Sequence, residues 1–125
     1  MESIKISVTG NICNVTSKPS HITEGTVGLP VEFTFDSSWD GLCKTAVFMA
    51  GKMRMVVDSV NNVAIVPWEI LRIPGFQLNV GVYGINVEGT TEISSTWVHA
   101  GAIQPAANGF NLYFLAYFLN KYHQK

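Results

Sequence analysis

The chain has 125 residues, a length typical of one domain that buries its own core. Charged residues make up 14% of it, against roughly 25% in most soluble domains, while 47% are apolar. So few charges predict burial against partners, and a formal net charge of −1 gives no electrostatic reason to expect nucleic acid or an anionic membrane as a ligand. The opening stretch MESIKISVTG lacks the apolar core of a signal peptide, so we expect a cytoplasmic protein.

The first part of the chain alternates apolar and polar residues with the period of a β-strand. This alternation runs over Ile4–Thr9, and Gly10-Asn11 then predicts a tight turn into a second strand at Ile12–Thr16. Lys18–Gly28 is polar and contains a proline and glycines, which predicts an irregular connection.

Four further strands are predicted in the central part of the chain, and short turns separate them. The turns between these strands are too short for crossover helices, so we expect an antiparallel sheet. The Gly51-Lys52 turn in particular suits a tight hairpin. The predicted strands are Val31–Phe35, Lys44–Ala50, Met53–Asp58 and Val63–Val66.

Pro67 ends the last of these strands and starts a corner over Trp68–Leu71. Two longer strands follow at Phe76–Gly84 and Thr90–Ala100, and glycine at position 81 suggests a bulge or close approach of another backbone. Short strands at regular intervals predict an all-β domain over residues 1–105. The expected fold is an antiparallel β-sandwich of immunoglobulin-like or jelly-roll-like type.

Residues 106–125 differ from the rest because they predict a short C-terminal α-helix. Asn108-Gly109 can cap it, and Phe110–Tyr122 is apolar on every side. This stretch is shorter than the about 20 apolar residues that span a bilayer, so we expect no membrane span. We predict that it joins subunits, the alternative being a helix docked in a groove of its own domain. The predicted interface residues are Phe110, Leu112, Phe114, Leu115, Tyr117, Phe118, Leu119 and Tyr122.

Signals for catalysis, cofactors and metals are weak throughout the sequence. Asp36 and Asp40 flank a turn and are interpreted as turn formers rather than cation ligands. His99 has no accompanying nucleophile elbow, so we expect no enzyme activity, no cofactor and no metal site. Cys13 and Cys43 are interpreted as buried free thiols, with a disulfide as the alternative.

The aromatic residues allow two interpretations. Trp39 and Trp68 lie in turn-rich corners, and we predict that each fills one end of the sandwich core. The alternative is an exposed ligand platform of Trp39, Trp68 and Tyr83 that stacks against sugars, which would make the protein a carbohydrate-binding module.

Several segments together resemble a known family. GLPVEFTFDSSWDGLCKTAVF, VPWEIL followed by PG, LNVGVYG, and a Trp-containing strand ending in GAIQP occur in this order. The pattern is similar to the N-terminal β-sandwich domain of upper-baseplate-type tail and baseplate proteins from phages and prophages of Gram-positive bacteria. It covers about residues 3–105. The resemblance implies structural rather than catalytic roles for Phe33, Phe35, Trp39, Leu42, Pro67, Trp68 and Gly81.

The resemblance also implies a function. Such a protein is a non-enzymatic structural component that docks to other virion tail proteins, is made in the host cytoplasm and ends in the virion tail. Family members commonly continue after the IQP segment into a Pro/Gly/Asp-rich linker and a fibre-forming region, whereas here an apolar stretch follows. We therefore expect an adaptor or docking module, and a trimer beside the commoner dimer.

Overall fold

The computed structural model describes residues 2–72 and 74–107. Within these residues the chain is all-β, with short 3₁₀ helices at Ser37–Trp39 and Trp68–Leu71. The strands are β1 Ile4–Thr9, β2 Ile12–Ser17, β3 Ile22–Thr23, β4 Pro30–Phe35, β5 Cys43–Ala50, β6 Met53–Asp58, β7 Val63–Ile65, β8 Gln77–Ile85, β9 Thr91–Ser94 and β10 Val98–Gln104.

The strands form two sheets that share one hydrophobic core, which is a sandwich-like arrangement. The four-stranded sheet has the order β2-β1-β4-β7. The six-stranded sheet has the order β3-β10-β8-β5-β6, with β9 pairing with β8. The core contains side chains from both sheets, including Ile6 and Phe33 from the first and Phe48, Val80 and Ile103 from the second.

Both sheets are mixed, so the prediction of a purely antiparallel fold is wrong. β1 pairs in parallel with β4, and β10 pairs in parallel with β3. The reason lies in the connection after β2, which was predicted as irregular. Within this connection, Ile22–Thr23 joins the six-stranded sheet as β3. Leu29 O then accepts a hydrogen bond from Val66 N–H, next to the start of β4 in the four-stranded sheet. A crossover of this length allows β4 to return beside β1 in the same direction.

The last predicted strand, Thr90–Ala100, is interrupted and extends further than expected. Ser95 N–H donates to Val82 O at 2.8 Å, and Ser95 Oγ accepts from Val82 N–H at 2.9 Å. In the gap between β9 and β10, this side-chain bond replaces regular backbone pairing with β8. β10 then continues to Gln104, whereas the sequence predicted an end before Gly101.

The predicted C-terminal helix over Phe110–Tyr122 lies outside the described residues, which end at 107. In the part of the chain that is described, no helix is long and apolar enough to cross a membrane.

Candidate functional site

The outer face of the six-stranded sheet, which is the side turned away from the shared core, is the candidate site. Strand register arranges its side chains in transverse rows. The middle row, which we call the outer apolar row, consists of Val56, Val47, Gly81 and Trp97. The flanking rows are Asp58, Thr45, Tyr83 and Ser94 on one side, and Arg54, Met49, Asn79 and His99 on the other.

β5 gives this face its apolar character because it is apolar on both sides. Ala46 and Phe48 belong to the shared core, whereas Val47 does not, although it is only 5% exposed. Val47 lies on the outer face, opposite Val56 and Gly81. A continuous apolar run such as AVFMA is typical of a central strand covered on both faces.

Trp97 lies over Gly81 at the end of the outer apolar row. A Cβ on Gly81 would be 3.4 Å from Trp97 Cε3 and 3.6 Å from Cζ3. These are ordinary van der Waals distances, so the indole packs directly on Gly81, and the close approach predicted there comes from a side chain rather than a backbone. Trp97 remains 47% exposed and Val56 49% exposed, so both ends of the row are open to solvent.

Polar groups surround the row. The buried side-chain amide oxygen of Asn79, Oδ1, has no hydrogen-bond partner among the described residues. Asn79 lies opposite the exposed His99 in β10 and opposite Met49 in β5. The exposed imidazole of His99 therefore lies on this side of the row, and the Asn79 oxygen beside it is not accessible to solvent.

The outer face of the four-stranded sheet is different in character. Lys5 lies opposite Glu32, and Ser7 lies opposite Thr34 and Asn14. The middle of this face is polar, as expected of a solvated sheet surface, whereas Ile12 at one edge and Ile65 at the other are about half exposed. The two sheets therefore differ in the middle of their outer faces, where the six-stranded sheet has Val47 and Gly81 and the four-stranded sheet has Ser7 and Thr34.

The aromatic residues that the sequence proposed as a platform do not come together. Trp39 is fully buried, with its ring centroid 5.0 Å from that of Phe35, and cannot stack on a ligand. Its predicted role in the core is confirmed. Trp68 is 44% exposed and lies 5.4 Å from the Arg72 guanidinium, so its predicted role in the core is wrong. Tyr83 is partly exposed on the outer face.

Ile70 and Leu71 fill the corner that Trp68 was expected to fill. The residues of the site that the sequence analysis missed are Val47, Val56 and Trp97. Strand periodicity could have identified Trp97. Val98 packs against the core, and successive side chains of a strand point to opposite faces, so Trp97 must point outward. The predicted interface residues between Phe110 and Tyr122 lie outside the described residues.

The turn after β4 is structural, as the sequence predicted for Asp36. Asp36 accepts hydrogen bonds from Gly10 N–H at 2.7 Å and from Ser38 N–H at 3.1 Å. Hydrogen bonds from the Ser38 hydroxyl and from Gly10 lower the pKa of the Asp36 carboxyl. Trp39 Nε1–H donates to Gly10 O at 2.7 Å. Both backbone groups of Gly10 are thus held by this turn, and we call the arrangement the Gly10 clamp.

Both cysteines are free, but only one is buried as predicted. Burial raises the pKa of the Cys13 thiol, an effect that a hydrogen bond with Ser95 partly offsets. Cys43 is exposed because it begins β5 at a shallow cleft that also contains Asp58 and Asn61. Within residues 2–72 and 74–107, no group of three or more His, Cys, Asp or Glu side chains is arranged to hold a metal ion.

Comparison with protein-family models, with characterised proteins and with solved structures finds no match for this chain.

Proposed function

We propose that the protein is a non-enzymatic structural component of a phage or prophage particle, a tail or baseplate docking module that associates with itself and with other tail proteins. The observation that carries the proposal is the outer apolar row on the six-stranded sheet. Val56 and Trp97 are each about half exposed there, beside a Val47 that is already buried. Exposed apolar side chains on a sheet face are a feature of surfaces that other proteins cover.

The energetics favour covering this face. Completing the burial of a large apolar side chain contributes up to about 1.5–3 kcal/mol. An interface centred on an aromatic anchor with a polar rim suits this composition, since Trp97 would be the anchor and Asp58, Arg54 and His99 would lie in the rim.

The resemblance to upper-baseplate-type tail proteins supports the assignment to a particle. Its most specific segment, FxFDxxWDGL, supplies Asp36 and Trp39 of the Gly10 clamp. Its VPWExL segment supplies Ile70 and Leu71 of the corner. These motifs maintain the fold, which accords with a structural role, and the proposed location is the host cytoplasm during assembly and then the virion tail.

Light scattering coupled to gel filtration tests the proposal on the full chain. We expect a dimer or trimer at micromolar concentration, and a shift towards monomer for Val56→Asp, because a carboxylate on the outer apolar row opposes burial. The matched control is Thr34→Asp on the polar face of the other sheet, which should leave the assembly unchanged. A monomeric parent chain, or equal effects of the two substitutions, would contradict the proposal.

A carbohydrate-binding module is the second candidate, and one observation favours it. The exposed indole of Trp97 lies two positions from the exposed His99 on the same strand face, and aromatic faces with adjacent polar groups bind sugars. A glycan array distinguishes the two candidates. Saturable binding that Trp97→Ala removes and that the similarly exposed Trp68→Ala retains would support the sugar-binding function over docking.

A further inference from the structure

We propose that the outer apolar row of one copy is covered by residues 108–125 of a second copy of this chain, and that two copies exchange these segments reciprocally. This inference rests on the proposed self-association and names the part of the partner that occupies the surface.

The first argument is where the chain leaves the sheet. Glu24 N–H donates to Gln104 O at 2.8 Å, and Ala106 N–H donates to Glu24 Oε1 at 2.7 Å. These bonds hold the chain to the β3 edge of the six-stranded sheet up to residue 106. Val56 lies in β6 at the opposite edge of the same sheet. The segment therefore starts at one margin of the outer face rather than on the four-stranded sheet.

The second argument is length. Residues 108–125 number 18, since 125 − 107 = 18. The distance from β10 across β8 and β5 to β6 is three strand spacings, roughly 14 Å at about 4.8 Å each. The row also lies about 23 Å back along β10 from Gln104, at about 3.3 Å per residue, so the diagonal path is about 27 Å. Eighteen residues span about 27 Å even at the short rise of a helix, so the segment is long enough to follow this path.

The third argument is composition. Between Phe110 and Tyr122 the sequence contains almost only large apolar and aromatic residues, interrupted by two asparagines, one alanine and one lysine. A sheet face contacts only one side of a segment that crosses it, so the remaining apolar side needs a second surface. Two copies supply it when each segment lies between the two outer faces, an arrangement that closes with twofold symmetry.

Disulfide trapping tests the proposal with full-length chains in a Cys43→Ser background, which removes the exposed native thiol and leaves the buried Cys13. One chain carries Val56→Cys and the other carries Leu115→Cys. Because each chain has a single new thiol, a disulfide between them joins two copies. We expect this mixed disulfide to form about tenfold or more faster than one between Thr34→Cys and Leu115→Cys, since docking raises the effective concentration of the paired thiols. Phe118→Cys is a second segment variant, in case Leu115→Cys does not fold.

The outcomes separate this inference from the proposed function. A disulfide that forms only within one chain, in a Val56→Cys/Leu115→Cys double variant, would show that each copy covers its own face and would overturn the exchange. Equal trapping at Val56 and Thr34 in a chain that stays oligomeric would overturn the inference but leave self-association intact. A chain that is monomeric by light scattering would overturn both.

Discussion

Gly10 shows how a distant turn fixes a hairpin at the scale of single residues. Asp36 holds its N–H and Trp39 holds its carbonyl, so a glycine in the β1–β2 turn receives both of its partners from the turn after β4. The positive φ of 57° at Gly10 is a conformation that other L-residues adopt only at a cost. The hairpin is therefore stabilised jointly by its own turn and by a remote one.

Trp39 combines burial with a hydrogen bond, and the two contributions can be separated. Trp39→Ala should lower the free energy of unfolding by about 3–5 kcal/mol, because a fully buried large side chain leaves a cavity. Trp39→Phe should cost about 1–3 kcal/mol, since Gly10 O loses its donor. Chemical denaturation measures both.

The control is Trp68→Ala, because this exposed indole contacts Arg72. A cation–π contact at an exposed site contributes at most about 1 kcal/mol. A larger loss at Trp68 than at Trp39 would contradict the assignment of Trp39 to the core.

Asp36 makes stability sensitive to acid. The hydrogen bonds from Ser38 and Gly10 lower the pKa of Asp36 in the folded protein. Its contribution to the free energy of unfolding is therefore fully present above the unfolded pKa of about 3.9. That contribution is lost as the pH falls through the lower folded value. We expect the melting temperature of the parent to fall more steeply below about pH 4 than that of Asp36→Asn.

Thermal melts from pH 6 to pH 2 give the comparison, with Asp40→Asn as the control at the other end of the same turn. Parallel curves for the parent and Asp36→Asn would show that the carboxylate has no role in the clamp.

At the scale of elements, the turn between β6 and β7 leads the chain from one sheet to the other. Asn61 and Asn62 have φ values of 52° and 63°, the conformation of a type I′ turn. Asn62 O also accepts from Phe33 N–H at 2.8 Å, which ties the turn to β4. Asn62→Ala should lower the free energy of unfolding by about 1 kcal/mol because alanine tolerates this region poorly.

The matched variant at this turn is Asn62→Gly, which adopts positive φ without strain. It should stay close to the parent in urea denaturation. Equal losses for both substitutions would mean that the asparagine side chain, and not the backbone conformation, matters at this turn.

Local sequence signals predicted most strands but not how they pair. Alternation in Ile4–Thr9 and the Gly51-Lys52 hairpin gave elements that the structure confirms. The parallel β1–β4 pairing depends on a crossover through the other sheet, and no periodicity encodes it. The outer apolar row likewise forms from β5, β6, β8 and Trp97 only after pairing. Trp68 and Trp39 have similar local settings, and only the packed corner decides which indole is buried.

At the scale of the whole molecule, the proposed self-association predicts a melting temperature that depends on protein concentration. Dissociation accompanies unfolding of an oligomer, so a higher concentration favours the folded state. For a dimer of this size, a tenfold increase should raise the melting temperature by about 2–3 °C. Scans over two decades of concentration provide the measurement.

Val56→Asp should remove most of this dependence and Thr34→Asp should retain it, since only the former changes the outer apolar row. A parent chain that melts at the same temperature at all concentrations would exclude a coupled oligomer.

The parallel pairing of β10 with β3 also has a consequence for the speed of folding. It joins Ile103 to Ile22, which are 103 − 22 = 81 positions apart, and both are core residues. The entropy of closing so long a loop is lost before these contacts form. Refolding should therefore belong to the slow class of non-local β-proteins, in milliseconds to seconds. We expect so non-local a contact to form late in folding, and Ile103→Val should then accelerate unfolding more than it slows refolding.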